Sequence, residues 1–371
     1  MPGTDFGALS TAQKRVWSAE LWQAGRDQNF WFSNGFIGDG ATSVIQRITA
    51  LTETERGRVC VMSLVGDMEG DGVVGDNLLE GNEESLWNDT IEIRIDQLRN
   101  GVRSKGRMAE QATVIRFRAQ AKDKLSFWMA DKIDELGFLT ISGIAYTSRL
   151  DGSARPNTSQ LPQLSFASDV AAPTTGRRMF AGSATSTATL TAADKMQWNL
   201  IVNSQAYAKR KRIKPIRSGG REYYAMVLST EQMRDLKTDP TYQTLVSRAA
   251  PRGNDNPLFK GATAVVEGVI LYDHQKVPNT LGLANNSKWG AAGTVDGAQA
   301  LLLGAQALGF AQLGNVEMNE SDQTDYKNRP GLSVGRVIGF IKPAWRSIFD
   351  NRTRQDFGVM SLYTAASATG V

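Results

Sequence analysis

Between Arg107 and Leu136 the apolar residues Phe117, Ala121, Leu125, Trp128, Met129, Ile133 and Leu136 recur at helical spacing and form one stripe. Gly137 stands where a C-terminal cap belongs. A helix of about thirty residues would span some 45 Å at 1.5 Å per residue. That is roughly twice the mean globular length, so the pattern predicts a spine crossing a whole domain. Nearer the N-terminus, STAQKRVWSAELWQA predicts a short amphipathic helix, with Ser10 and Gln13 as a capping box and Trp17, Leu21 and Ala24 at helical spacing. The following RDQNFWFSNGFIGDG mixes aromatics with glycine. It reads as an arm whose apolar partners lie on the body or on another chain.

A second helix is predicted over TAADKMQWNLIVNSQAYAKRKR, with Met196, Leu200, Ile201 and Tyr207 as its buried face. REYYAMVLS reads as a buried strand, and Ser229 with Gln232 forms a capping box for the next helix. Asp239 before Pro240 is an N-cap followed by proline at the first helical position. GATAVVEGVILYD reads as a strand pair or one bent strand, and DGAQALLLGAQALGF as an Ala/Leu helix capped by Asp296. VGRVIGFIK and FGVMSLYTAA read as strands. Residues 149–190, rich in Ser, Thr, Ala, Gly and Pro, read as a long, partly flexible loop or hairpin excursion. The order is mixed α+β, without the strand–helix alternation of a doubly wound sheet.

Composition narrows the chemistry. In 371 residues, 41% hydrophobic and 22% charged, Cys60 is the lone cysteine and His274 the lone histidine. Disulfides, Cys-rich zinc sites and paired-histidine chemistry within one chain are thereby removed. No apolar run approaches the roughly 20 residues of a membrane span, and MPGTDFGALSTAQKRVW lacks the apolar core of a signal peptide. The expectation is a cytosolic protein. A formal charge of +4 is too small, on its own, to argue for nucleic acid.

The stretch GDMEGDGVVGDNLLEGNEESL follows the apolar run VCVMSLV, and Gly70, Gly72 and Gly75 within it spell G-x-G-x-x-G. A dinucleotide site needs a helix to follow, yet Gly81 and Asn82 interrupt one. Asp67, Glu69, Asp71, Asp76, Glu80, Glu83 and Glu84 would repel a phosphate, with no Lys or Arg among them. A calcium loop begun at Asp67 would need its bidentate Glu at the twelfth position, which is Leu78; a looser divalent site stays open. GLSVG around Ser333 matches a nucleophile elbow, but His274 precedes the serine where that fold places it after. A glycine-flanked turn into a strand is the better reading, and His274 reads as a hydrogen-bonded loop residue. AKRKRIKPIR gathers Lys209, Arg210, Lys211, Arg212, Lys214 and Arg217. It reads either as a solvated helix end, since cations suit a helix C-terminus, or as a patch facing nucleic acid without base-reading groups.

Charge is also blocked along the chain. The acidic stretch 66–87 precedes Arg94, Arg99, Arg103, Lys105, Arg107, Arg116 and Arg118. Such blocks are solvated faces or the two halves of a head-to-tail contact, in which the acidic loop of one copy lies over the basic region of the next. Heterologous contacts of that kind close into rings.

These segments together resemble the major capsid proteins of tailed phages, in the branch typified by N4-like phages. GDGVVGDNLLEGNEESL is the most recognisable, followed by DTIEIRIDQLRNGVRSKGRMAEQ and AKDKLSFWMADKIDELGF. PIRSGGREYYAMVLSTEQMRDLK, NPLFKGATAVVEGVILYDHQKVPN, LLLGAQAL and RQDFGVMSLYTAA continue the series in order. The resemblance runs from about Trp17 to Ala366 and is weakest over 149–190, where an insertion is expected. It implies a Hong Kong 97-like fold with an N-terminal arm (1–57), an extended β-hairpin loop (58–100) and a peripheral domain with a spine helix (101–214). An axial domain (215–335) and return strands to the peripheral domain (336–371) complete it. It implies a non-enzymatic shell subunit, without cofactor or metal, that forms pentamers and hexamers around double-stranded DNA. Portal, scaffolding and cement proteins are its implied partners, with no membrane, and assembly in the host cytoplasm is expected. The acids named above and Arg94, Arg99, Arg103 and Arg107 would then meet between subunits. Trp17, Trp22, Phe30, Trp31 and Phe32 would anchor the arm on a neighbour, and Lys209 to Lys214 would face DNA. The rivals are a nucleic-acid-binding protein using 209–217 and a dinucleotide-dependent enzyme.

Overall fold

A computed structural model describes residues 29–48, 57–66, 68, 70–106, 117–218, 220–249, 265–266, 268–321, 326, 328–347 and 352–366. In chain order these form α1 (Phe30–Ser33), β1 (Ile37–Gly38), β2 (Ile45–Ile48), β3 (Val59–Val65), β4 (Asn88–Arg94), β5 (Asp96–Arg103) and α2 (Phe117–Ser142). Next come β6 (Arg178–Phe180), α3 (Trp198–Arg210), β7 (Ile216–Ser218), β8 (Arg221–Leu228), α4 (Thr230–Thr238) and α5 (Pro240–Ala249). The rest is strand: β9 (Val265–Val266), β10 (Val269–Asp273), β11 (Gly297–Leu303), β12 (Leu308–Ser321), β13 (Gly331–Ile341), β14 (Ala344–Ser347), β15 (Thr353–Asp356) and β16 (Val359–Ala365).

A seven-stranded sheet runs β6-β16-β11-β8-β10-β9, with β7 added on β8. Its alternation decides its two faces. Ala225, Val227, Leu301, Leu303 and Val359 turn toward α2 and join the main core. Tyr224, Met226, Leu228, Ala300, Leu302, Met360 and Leu362 turn the other way, under α3 and α4. A five-stranded sheet, β1-β2-β12-β13-β5, closes the main core from the far side of α2. Two ribbons, β3–β4 and β14–β15, form ladders of their own, hydrogen-bonded to neither sheet.

Local signals read correctly include both helix starts in 229–240. Ser229 Oγ accepts from Gln232 N–H at 3.2 Å while Gln232 Oε1 accepts from Ser229 N–H at 3.0 Å, a reciprocal capping box. Asp239 accepts from Thr241 N–H at 3.2 Å and from Trp198 N–H at 2.9 Å, so one carboxylate serves the starts of α5 and α3 together. Of the two readings of GATAVVEGVILYD the strand pair holds: β9 and β10 pair antiparallel.

Three expectations are corrected. The spine does not stop at Gly137: α2 continues to Ser142, and Gly143 at φ +70° makes the turn out. Gly137 is glycine because a Cβ there would sit 2.8 Å from the Trp31 indole nitrogen. Residues 107–116, the predicted start of that helix, lie outside the described residues. The expected Ala/Leu helix is instead β11, a turn and the start of β12. Every residue of β11 is buried between β8 and β16, and an apolar run buried on both faces has no periodicity to separate strand from helix. Asp296 caps nothing there; it pairs with Lys288 at 2.5 Å. Finally, residues 149–190 are irregular but packed. Leu164 and Phe166 enter the main core, and Ala181 and Leu190 form another with Tyr363. Arg177, buried, donates to the Asp356 carbonyl at 2.8 Å.

Asp356 also meets Lys342 at 3.1 Å, with both side chains 1% exposed. Burial pulls the Lys342 ammonium below its ordinary pKa, and the Asp356 charge and hydrogen bond oppose that. The Thr174 N–H donates to the same carboxylate at 3.1 Å, so the ribbon and the 149–190 segment are tied at one point.

Candidate assembly surface

β3 and β4 pair antiparallel from Val59↔Arg94 to Val65↔Asn88. Alternation gives the ribbon one inner face: Cys60, Met62, Leu64, Ile91 and Ile93 pack on Ile48, Ala311, Ile341 and Trp345. On the other face, Val59, Val61 and Val65 are exposed. The ribbon's base is tied down by polar groups. Arg94 meets Asp169 at 2.8 Å, Asp96 accepts from Ser165 N–H at 2.8 Å, and Ser165 Oγ donates to the Ile95 carbonyl at 3.1 Å.

Gly66 N–H donates to the Trp87 carbonyl at 2.9 Å and closes the neck of the ribbon. Beyond it the connection projects without a core of its own. Val74 is 78% exposed and Leu78 69%, and Leu79 and Leu86 are likewise open. The acids divide by role. Glu84 accepts from Gly70 N–H and Glu83 from Gly81 N–H, each at 2.8 Å, so these two carboxylates hold the loop's own backbone. Asp71, Asp76 and Glu80 are exposed and have no ion pair among the described residues. Asp67, Glu69 and Arg107 lie outside the described residues.

The dinucleotide reading fails on geometry as well as charge. After Gly75 the chain turns and runs without helix to Asn88, so no helix N-terminus faces the glycines. The described residues hold no group of three or more His, Cys, Asp or Glu arranged for a metal. Ser333 lies inside β13, not on a turn, and its hydroxyl donates to the Asn319 carbonyl at 3.3 Å. His274 stacks on Phe138 with rings 5.0 Å apart, and Nδ1 accepts from Lys276 N–H at 3.1 Å. Burial, aided by Lys276, lowers its pKa to about 4. It is a neutral packing residue.

The arm is corrected too. Phe30 and Trp31 are not available to a neighbour: Trp31 is 1% exposed, packed on Phe138 and Gly137 of the spine. Phe32 packs against the same core and meets Phe310 edge-on at 6.2 Å. The amide of Phe30 donates to Asp134 of α2 at 2.9 Å, and burial pushes that carboxyl up to about 6. Trp17 and Trp22 lie outside the described residues. Sequence reasoning missed Asp134; an acid on the inner stripe of the spine, between Ile133 and Leu136, was its signal.

Of the basic residues, Arg94 is occupied by Asp169, whereas Arg99 and Arg103 on β5 are exposed and have no ion pair among the described residues. Lys209, Arg210 and Arg212 are exposed at the end of α3. Arg210 and Lys211 lean over the Tyr207 ring at 5.0 and 5.9 Å, and Lys214 donates to Gln306 at 3.3 Å. Among the described residues no helix is long and apolar enough to cross a membrane.

Known proteins match this arrangement along nearly its whole length. The family model described as phage capsid protein matches residues 5–368. The major capsid protein of Pseudomonas phage KPP25 is 43% identical over 98% of each chain. The capsid of Ralstonia phage GP4 superposes with a TM-score of 0.76 at 27% identity over 93% of each chain. The cyanophage Pam1 capsid shares the fold at a TM-score of 0.72 and 19% identity, covering 90% of this chain and 92% of that one. A mixed α+β fold of this kind, matched end to end, places the chain as a structural protein of a virion's shell: it belongs to the phage capsid protein family.

Proposed function

We propose that the chain is the repeating subunit of a Hong Kong 97-like shell, in the N4-like branch of tailed phages, that assembles into pentamers and hexamers around double-stranded DNA. In this reading residues 1–57 are the arm, 58–100 the extended loop, 101–214 the peripheral domain with α2 as spine, 215–335 the axial domain and 336–371 the returning strands. Residues 149–190 are an insertion within the peripheral domain.

The observation that carries the proposal is the β3–β4 ribbon. It holds up an acidic connection with exposed Val74, Leu78 and Leu79 that makes no core within its own subunit. Such a segment gains its order from a neighbour, and a heterologous contact repeated around an axis closes into a ring. Each interface would bury about 1,600 Å² or more. The net charge of +4 suits a shell wall: Lys209, Arg210, Lys211, Arg212 and Lys214 touch packaged phosphate non-specifically, while strong binding by many copies would impede packaging. Portal, scaffolding and cement proteins are the expected partners, met in the host cytoplasm.

Size-exclusion chromatography with electron microscopy of the purified protein tests this. Capsomers, tubes or closed shells are expected. A small discrete oligomer, or a monomer that shifts DNA in a salt-sensitive way, would replace this reading.

A further inference from the structure

The outer face of the five-stranded sheet is covered over only half its length. β13 turns Leu332 and Val334 inward, so Gly331, Ser333, Gly335, Val337 and Gly339 face outward. At the Val337–Gly339 end the subunit's own ribbon lies on this face; a Cβ on Gly339 would collide with the Arg94 carbonyl. At the other end no described element lies over it.

The uncovered half has a distinct chemistry. Strand pairing aligns Arg103 with Gly331, Gly101 with Ser333 and Arg99 with Gly335. The middle of the strip therefore carries only the Ser333 side chain, with exposed Arg99 and Arg103 of β5 along one edge and exposed Glu317 and Asn319 of β12, paired with Gly335 and Ser333, along the other. The Arg99 stem lies down over Gly335, where a Cβ would be 3.1 Å from its Cγ. The two arginines stand four positions apart along β5, about 14 Å in a strand.

We infer that this strip receives the acidic connection of a second copy, with Asp76 and Glu80 on Arg99 and Arg103 and Leu78 between them over Gly101 and Ser333. The inference rests on the shell reading and narrows it: the whole basic stretch is not the partner, because Arg94 is already held by Asp169. Three observations select this occupant. Asp76 and Glu80 are also four residues apart, exposed and without an ion pair among the described residues, so in an extended chain their reach is at most about 14 Å. The charges are opposite along the β5 edge, and Glu317 on the β12 edge steers the acids to that side. The strip continues the sheet face that a copy's own ribbon covers with apolar contacts, so a second copy's connection would lie beside that ribbon on a polar, arginine-edged seat.

The test uses two sets of full-length variants, each checked for cooperative thermal unfolding before assembly is measured. Gly331→Val with Ser333→Val fills the strip with residues that a strand favours, so folding is kept while particle yield should fall at least tenfold. Arg99→Glu with Arg103→Glu, and separately Asp76→Arg with Glu80→Arg, should each lower the yield similarly. The four changes in one chain should restore it. A filled strip that assembles like the parent overturns the inference, as does a fourfold exchange that restores nothing. Assembly that survives Arg99→Glu with Arg103→Glu while DNA retention falls assigns the arginines to DNA and also overturns it. If the parent itself forms no particles, it is the shell reading that fails.

Discussion

The Trp31 indole packs over Gly137, the one residue of that turn of the spine without a side chain to meet it. The contact fixes residues 29–36 against α2, together with the Phe30 amide on Asp134 and Asn29 Nδ2 on the Ala130 carbonyl at 3.3 Å. Gly137→Ala tests it. Alanine should gain about 1 kcal/mol as a helix former, whereas the added methyl overpacks the site at a cost of about 1–3 kcal/mol. A net loss of stability in urea, with a change in tryptophan emission, is expected; a net gain would show that the indole moves aside freely.

The same corner sets a pH dependence. Asp134 is held at about 6 against an ordinary 3.8, so its neutral form is favoured by the fold and stability from this group rises as pH falls from 6 toward 4. His274 is held at about 4 against 6.5, so its contribution is full above 6.5 and is lost as pH falls through 4. Lys276, 2.7 Å from Asp131 and 3.8 Å from Asp134, and Asp131 itself complete the charged surroundings. The two titrations oppose each other, so the parent's thermal midpoint should vary little between pH 6.5 and 4 from this source. Asp134→Asn should unmask the histidine and make the midpoint fall with acid. His274→Phe should do the reverse. The same slope in both variants would refute the assignment.

Lys342 and Asp356 form a pair with both side chains 1% exposed. Lys342→Met leaves a buried carboxylate with one partner fewer and should cost about 3–5 kcal/mol. Denaturant unfolding checks this, and a loss below about 1 kcal/mol would mean water reaches the site.

The acids of the projecting connection should separate in mutagenesis. Asp71→Lys or Glu80→Lys changes an exposed, unpaired position, so monomer stability should move by no more than about 0.5 kcal/mol while assembly falls. Glu84→Lys removes the acceptor for Gly70 N–H and should loosen the connection itself, seen as faster amide exchange over residues 70–84. Equal exchange in the Glu84→Lys and Glu80→Lys proteins would contradict the division of roles.

What the sequence revealed follows physical lines. Local rules worked where local groups decide: the Ser229–Gln232 box, Asp239 before proline, and the inner stripe Leu125, Met129 and Ile133. They failed where long-range packing decides. ALLL, residues 300–303, is good helix material, yet β8 and β16 on its two sides make it a strand. Gly137 has the look of a cap, yet its neighbour is Trp31, more than a hundred positions away in the chain. Of the site, the acidic connection was visible as a charge run. The sorting of Arg94 from Arg99 and Arg103 was not, because it depends on Asp169, which the fold brings to the ribbon's base from the 149–190 segment.

In the proposed shell the β3–β4 ribbon and its acidic connection serve the next subunit. Electron cryomicroscopy of the assembled protein at side-chain resolution tests it most directly. Rings of five and six subunits are expected, in which residues 66–87 of each copy lie across the outer sheet face of its neighbour, beside Arg99 and Arg103. Particles in which that connection is free of its neighbours, or folded back on its own subunit, would contradict it.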